Sequence, residues 1–381
     1  MSKIKVGIIG LGFIGPAHIE ALRRTGLVEI TAFSDNNPET AKKSANLLGI
    51  EKYHTDYRAL LADKEIQAVH ICTPNFLHYS MVKDALIAGK HVVCEKPLAA
   101  SAREAEELFK LAEKMQLKNA VNFNLRYYPL VREMRTQIKQ GDLGRIFFIR
   151  GSYLQDWLFY ETDYNWRLEP SMSGESRAVA DIGSHWMDMA EHISGLSVTE
   201  VFADFVTVHN KRKKPARPVE TYSGKMLRPE DYVDININTE DYASILFKFE
   251  SGAHGVLTVS QVSAGRKNRL YMEIDGAKKS FAYDTEKPNE LWIGKRDYPN
   301  EILMKDPSLL SADARSIAGY PGGHNEGFPD TFKQMYREFY TSLPGKTPGN
   351  INHATFKDGL RELVLCEKII ESARNAKWIK I

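Results

Sequence analysis

Up to about residue 123, short apolar runs alternate with amphipathic stretches at close spacing. "KVGIIG" is a continuous apolar run of the kind found in strands buried on both faces of a parallel sheet. The pattern then predicts a helix over 14–25, a strand "EITAFSD", and a helix opened by "NPET", with Asn37 as N-cap and Pro38 in the first turn. "QAVHICTP", a helix over 76–88, "KHVVCE", the helix "SAREAEELFKLAEKMQ" and "KNAVNFN" continue the alternation. Parallel neighbours need crossover helices, so this order predicts an α/β doubly wound Rossmann sheet.

Beyond residue 123 the pattern changes. "YYPLVREMRTQIKQGDLG" reads as a helix stopped by glycine, and strands then dominate: "RIFFIRGSYLQ", "EVFADFVTVH", "YASILFKFESGAHGVLTVS" and "RLYMEIDGAKKSFAYD". "ESGAHG" and "IDGAKKS" look like hairpin turns, so these strands pair most simply as antiparallel neighbours. Helices over 325–342 and 353–374 follow. The expectation is two domains, 1–123 and 124–381, the second an α+β domain with a large, mostly antiparallel open sheet.

Charge adds an exclusion. Lys plus Arg exceeds Asp plus Glu by only two over 381 residues, which argues against a nucleic-acid binder. The one basic cluster, "KRKKPAR" over 211–217, reads as a solvated loop. Cys72, Cys94 and Cys366 are scattered without CxxC spacing, which indicates neither a zinc knuckle nor a disulfide framework. No apolar run approaches the length of a membrane span and no signal-peptide pattern opens the sequence, so no membrane role and a cytoplasmic location are expected.

"GLGFIG" sets Gly10, Gly12 and Gly15 between the first strand and the first helix. Gly10 permits the tight turn, Gly12 lets a pyrophosphate approach the backbone, and Gly15 allows close helix–strand contact. Phe13 and Ile14 belong to the same loop, and the helix N-terminus offers free N–H groups to the anion. Alone this glycine pattern is weak. Asp35, at the end of the second strand, strengthens it: a carboxylate there accepts ribose hydroxyls and repels a 2′-phosphate, which favours NAD over NADP.

In such a sheet, ligands lie beyond the carboxyl ends of the strands. "CTPNFLH" and "CEKP" follow two such ends, which makes Thr73, Pro74, Asn75 and His78 candidate cofactor contacts, with Pro74 and Asn75 also fit to cap the next helix. Glu95 and Lys96 join them. A lysine locked between Glu95 and Pro97 after a buried strand is poised to hold a reacting hydroxyl or stabilise developing negative charge on oxygen. Farther on, "GESRAVADIGSHWMDMAEHISG" puts Asp181, His185 and Asp188 on one face if 178–193 is α-helical. A histidine backed by a carboxylate can act as a general base. A metal bound by these three has no HExxH or clustered cysteine to support it, and none is expected.

"GLGFIG", "TPNFLH", "CEKP" and "DIGSHWMD", in this order and spacing, resemble the glucose–fructose oxidoreductase, inositol dehydrogenase and rhizopine-catabolism family (Gfo/Idh/MocA) over essentially the whole chain. The resemblance implies a catalytic Lys96, Asp181 and His185, with the proton-accepting role open between Lys96 and His185. It implies a Rossmann domain for NAD and a second domain for substrate and oligomerisation. Many relatives carry consecutive glycines where this chain reads "SGESRA", so Arg177 is expected to project into a different substrate-side loop.

Asn124, Trp166 and Arg167 extend the candidate cofactor contacts, and Arg126, Tyr127, Gln155, Trp157, Arg167 and His324 the candidate substrate contacts. Aromatic planes with amide and guanidinium donors suit a sugar ring, with Asp156 beside them. His324 and Asn325 fall at an expected helix start, as pocket wall or cap. The spelling "QDW…NWR…RAVADIGSHW" is similar to sugar-oxidising branches of the family, levoglucosan dehydrogenase-like proteins among them.

The expected activity is NAD-dependent oxidation of a secondary hydroxyl on a sugar, anhydrosugar, glycoside or cyclitol. The alternatives are a glycosidase using transient oxidation, and a non-catalytic NAD(H)-sensing protein. "ILFKF" and "GVLTVS" are apolar enough on an outer sheet face to suggest a homo-oligomer, dimer or tetramer.

Overall fold

The structure is a computed structural model that describes residues 3–217, 228–343 and 352–381. It divides into two compact units, Met1–Tyr127 with Phe328–Leu363, and Tyr128–Gly327 with Val364–Ile381.

The first unit is the doubly wound sheet. Its elements are β1 (Ile4–Ile9), α1 (Gly15–Thr25), β2 (Val28–Ser34), α2 (Pro38–Leu48), β3 (Tyr53–His54), α3 (Tyr57–Leu61), β4 (Ala68–Ile71), α4 (His78–Ile87), β5 (His91–Cys94), α5 (Ala102–Met115) and β6 (Asn119–Val121). The strand order is β3-β2-β1-β4-β5-β6, parallel throughout. The reversal of direction beside β1 opens a crevice at the carboxyl ends. Asn37 caps α2 as expected, accepting from the Glu39 and Thr40 N–H groups at 3.0 and 3.1 Å, and Ser101 caps α5. The helix Phe328–Thr341 and the residues from Ala354 to Leu363 complete this unit: Ala354, Phe356 and Leu363 join Val92, Cys94, Leu98 and Val121 in its core. Arg24 on α1 pairs with Asp330, and Gly359 sits so close to Val121 and Leu98 that an added Cβ would lie 2.8 Å from the valine.

The second unit is built on a nine-stranded sheet. Its strands are β7 (Ile146–Leu154), β8 (Val198–Val206), β11 (Tyr242–Phe249), β12 (His254–Ser260), β13 (Arg269–Gly276), β14 (Ser280–Asp284), β15 (Glu290–Gly294), β16 (Glu301–Met304) and β17 (Ile379–Lys380). β9 (Lys211–Pro215) and β10 (Tyr232–Asn236) form a separate antiparallel ribbon. The large sheet runs β16-β15-β14-β13-β7-β12-β11-β8-β17, and every pairing but β12–β7 is antiparallel. One face is covered by helices, where Ile149, Leu257, Ile245 and Ile274 are fully buried. The other carries a cross-strand row through Leu246, Val256, Arg150, Glu273, Ala282, Trp292 and Ile302.

The basic cluster is corrected by this fold. "KRKKP" is strand β9, not a solvated loop, and its cations face carboxylates: Arg212 on Asp241, Lys213 on Asp234, Lys214 on Glu169. Alternation decides it, because the register with β10 turns Arg212 inward, where burial demands a counter-charge. All three cysteines are free and buried, and among the described residues no helix is long and apolar enough to cross a membrane.

Candidate active site

In the first unit the parallel topology gathers the candidate residues at one edge of the sheet. Gly10 has φ +94°, and a Cβ on it would lie 2.9 Å from the Cys72 carbonyl carbon. A Cβ on Gly15 would lie 2.4 Å from the Gly10 carbonyl oxygen, which fixes glycine where helix and loop touch. At Gly12 no atom lies within 4 Å of that position, so the backbone there is open to a ligand. Phe13 is exposed and Ile14 half-buried beside it. Asp35 accepts from the Leu11 N–H at 3.0 Å through Oδ2 and from the Asn37 N–H at 3.0 Å through Oδ1. Each oxygen keeps a lone pair for a ribose hydroxyl, so glycine loop and carboxylate together fit NAD.

Thr73, Pro74 and Asn75 follow β4, half-buried at the same edge. His78 contributes differently from the expectation. It is fully buried, and its ring nitrogens face the Pro97 carbonyl at 2.6 Å and the Thr73 carbonyl at 2.8 Å. As a neutral ring it has one N–H, so it donates to one of these carbonyls while filling the space between the two loops that a cofactor would meet. Burial pushes its pKa down, against the pull of the two carbonyls.

Glu95 and Lys96 follow β5, and the Lys96–Pro97 bond is cis. The buried Glu95 carboxylate accepts from His18 Nε2 at 2.8 Å, from Asn122 Nδ2, and from the Lys96 backbone N–H at 3.3 Å. Burial works to raise its pKa, but His18, Lys96 and Asn122 outweigh that and hold it below the usual carboxylate range. Asn124 donates to Thr331 Oγ1 at 2.7 Å, and Arg126 pairs with Asp358 at 2.9 Å. With Tyr127 these side chains are buried within their own unit.

In the second unit the segment around Asp181 departs from regular α geometry. Residues Val179–Gly183 form a π turn that runs into the α-helix Ser184–Ser194, with the Ser184 N–H on the Val179 carbonyl. One extra residue per turn rotates Asp181 about the axis, so α spacing does not describe its relation to His185 and Asp188. The Asp181 carboxylate is held on both oxygens: Arg167 Nε lies 3.3 Å from Oδ1, and Gln261 Nε2 donates to Oδ2 at 2.8 Å. The Arg167 guanidinium stacks over Trp166, 4.4 Å from the ring centroid. His185 is buried to 9% exposure, its ring 6.3 Å from that of Tyr153, and Asp188 is buried on the same helix.

Arg177 is the second correction. Expected to project from the substrate-side loop, it is instead buried, paired with Asp241 and donating to Gln261 Oε1 at 2.9 Å and to Thr239 Oγ1 at 3.3 Å. Arg212 pairs with the same Asp241 at 2.7 Å. Burial raises the Asp241 pKa, but the two guanidinium groups outweigh it and hold it below the ordinary value. Its neighbour Glu240, fully buried and accepting from Ser176, Arg177 N and Val179 N, is raised by burial. Because arginine only donates and an ionised carboxylate only accepts, the orientation of the Gln261 amide is forced. Gln261 thus relays the Arg177 cation to Asp181 as a hydrogen bond.

Gln155 and Trp157 are joined: Trp157 Nε1 donates to Gln155 Oε1 at 2.7 Å, and Gln155 Nε2 and the Tyr153 hydroxyl both donate to Asn268 Oδ1 at 2.8 Å. Asp156 is taken up by Lys267 and the Gly265 N–H. His324 lies on an exposed loop, Nδ1 3.3 Å from the Gly322 carbonyl. The next helix begins at Phe328, so Asn325 is not its N-cap. That loop is fastened by Lys305, whose buried ammonium donates to the carbonyls of Tyr320, Pro321 and His324 and to Glu326.

Gln261, Asn268, Asn122 and His18 escaped sequence reasoning, since single amides and a lone helical histidine carry no spacing signal. His70 offered one, a histidine inside the wholly buried strand "AVHI".

Residues 4–123 match the profile described as "Oxidoreductase family, NAD-binding Rossmann fold", and residues 131–282 that of the "GFO/IDH/MocA C-terminal domain". The chain is 28% identical to levoglucosan dehydrogenase of Pseudarthrobacter phenanthrenivorans, covering 100% of this chain and 99% of the relative. It is 30% identical to the uncharacterized oxidoreductase YrbE of Bacillus subtilis over 80% of this chain and 79% of that one. Among solved structures, a levoglucosan dehydrogenase complex with NADH and L-sorbose superposes with a TM-score of 0.89 at 27% identity, covering 100% and 99% of the two chains.

Proposed function

Because the chain belongs to the GFO/IDH/MocA family of oxidoreductases, we propose that it oxidises a secondary hydroxyl of a sugar, anhydrosugar, glycoside or cyclitol with NAD as acceptor. The observation that carries this reading is the end-to-end similarity to a sugar-oxidising relative, in a chain that keeps Lys96, Asp181 and His185. NAD, when bound, supplies the hydride acceptor. Gly10, Gly12 and Gly15 hold its phosphates, Asp35 its ribose, and the Thr73–Asn75 turn lines its path.

In this reading Lys96 hydrogen-bonds and polarises the reacting oxygen. His185 accepts the hydroxyl proton, and Asp181 favours the imidazolium that results. Arg167 and Gln261 on its two oxygens hold Asp181 in one orientation. Gln155, Trp157 and Arg167 contribute amide, indole and guanidinium groups suited to a polyol. The homo-oligomer rests on the outer sheet face, where Leu246 and Val256 are exposed side by side. Light scattering of the purified protein reads that directly.

The experiment is a panel of polyols, anhydrosugars and glycosides assayed by NADH absorbance, with NADP in parallel. Lys96→Ala and His185→Ala should keep NAD binding by calorimetry and lose about a hundredfold or more in kcat. Near wild-type turnover in both would remove the assigned roles. Glycoside cleavage without net NADH would replace the dehydrogenase by a glycosidase.

A further inference from the structure

Four titratable side chains in the first unit form a chain that the mechanism above does not use. Glu95 Oε1 meets His18 Nε2 at 2.8 Å, His18 Nδ1 meets His70 Nδ1 at 2.9 Å, and His70 Nε2 meets the Tyr340 hydroxyl at 2.8 Å. They come from the loop after β5, from α1, from β4 and from the helix Phe328–Thr341. All are buried, His18 and His70 completely. Aromatic rings close the space around them: Phe332 and Tyr336 lie against His18, and Tyr336 and Tyr340 against His70. Cys72, Cys94 and His78 also lie close enough to Glu95 to feel its charge. Lys96 and Asn122 face Glu95, and the Tyr336 hydroxyl is 3.3 Å from Asn122 Oδ1.

We propose that His18, His70 and Tyr340 are positioning residues for Lys96, acting through Glu95; the inference rests on the catalytic reading of Lys96. An ionised carboxylate only accepts, so His18 Nε2 carries a proton and donates to Glu95. One charge orders the rest without burying a second. His18 Nδ1 is then an acceptor, His70 Nδ1 donates to it, and His70 Nε2 accepts from Tyr340. Every donor points toward Glu95. The second Glu95 oxygen takes the Lys96 backbone N–H, so the direction of the carboxylate sets the backbone from which the lysine side chain departs.

Conduction of the released proton is the competing use, and the geometry disfavours it. The donors run toward Glu95, so the chain as ordered cannot take a proton from that end. Its far end is a buried tyrosine whose pKa burial raises well above the ordinary value. A dead end suits orientation rather than transport.

Nitrogen-15 NMR of the NAD-bound protein, labelled at histidine, tests the order, and the backbone amide resonance of Lys96 tests its consequence. We expect the Nε2–H form at His18, the Nδ1–H form at His70, and a downfield Lys96 amide. His18→Leu and Tyr340→Phe should move that amide upfield. They should lower kcat, by about tenfold or more for His18→Leu, with KM for NAD within about twofold. His18→Gln, which keeps an N–H donor facing Glu95, should restore kcat to within about threefold of wild type.

An Nδ1–H or doubly protonated His18 overturns the order. A Lys96 amide unmoved in both Tyr340→Phe and His18→Leu overturns the positioning role, as does a His18→Gln protein no better than His18→Leu. Should His18→Leu fail to fold, Tyr340→Phe, the loss of one oxygen, carries the test. If the wild type reduces NAD with no polyol while the spectra are as expected, the dehydrogenase reading fails and the Glu95 relay stands.

Discussion

Gln261→Leu isolates the link between the buried arginine and Asp181. The substitution keeps the volume of a fully buried side chain and removes two hydrogen bonds, each with one charged partner. Such bonds contribute about 1.5–3 kcal/mol each. The Arg177 guanidinium has no exposed surface, so no water replaces Gln261 Oε1, and the upper half of that range applies. Asp181 keeps Arg167 and a side chain 16% exposed, so water recovers part of its loss and the lower end applies. The sum is a destabilisation of about 4–4.5 kcal/mol confined to the second unit.

The assay is favourable because all five tryptophans, Trp157, Trp166, Trp186, Trp292 and Trp378, lie in that unit. Urea unfolding followed by tryptophan emission therefore reports it alone, and the midpoint should fall at unchanged slope. The kcat of the variant should fall as well, since Asp181 loses the Gln261 anchor. A midpoint shift worth less than about 1 kcal/mol would refute the argument that Gln261 joins the two charges.

The first unit should lose stability in mild acid. His70 and His78 are held below the ordinary histidine pKa, first of all by burial. Below a pH of about 6.5 the unfolded chain binds protons that the native unit refuses, so their contribution is complete above that pH and lost beneath it. Two such groups give a slope of up to about 2.7 kcal/mol per pH unit, and calorimetry between pH 7 and 5 should show the transition falling; a flat profile would count against burial of neutral rings. Asp35→Ala should raise KM for NAD about tenfold or more and narrow the preference over NADP, measured by initial rates with each cofactor.

The first unit was legible because its signals are local. "KVGIIG" and "KHVVC" are apolar on both faces, glycines fall where φ +94° or a 2.4 Å approach demands them, and Asn37 caps the helix that "NPET" announces. The second unit was legible where strands alternate strictly, as in β11 and β13. Its failures share one cause, long-range pairing of charges. Nothing near Arg212 or Arg177 in sequence says that Asp241 waits between them. A π turn at Val179–Gly183 likewise has no residue signature, so the α spacing assumed for Asp181 and His185 did not hold. The motifs named the candidate catalytic residues, whereas Gln261, Asn122 and His18 carried no signal, and His70 only that of a histidine inside a buried strand.

The core of the first unit draws on Ala354, Phe356 and Leu363, and the edge strand β8 of the second is covered by β17. Synthesis from the N-terminus therefore leaves the nucleotide sheet without part of its apolar cover for more than two hundred residues. The nine-stranded sheet likewise stays open along β8 until Ile379–Lys380 are made. Both units stay incomplete over that interval, and the nascent polypeptide must be sheltered from self-association throughout it.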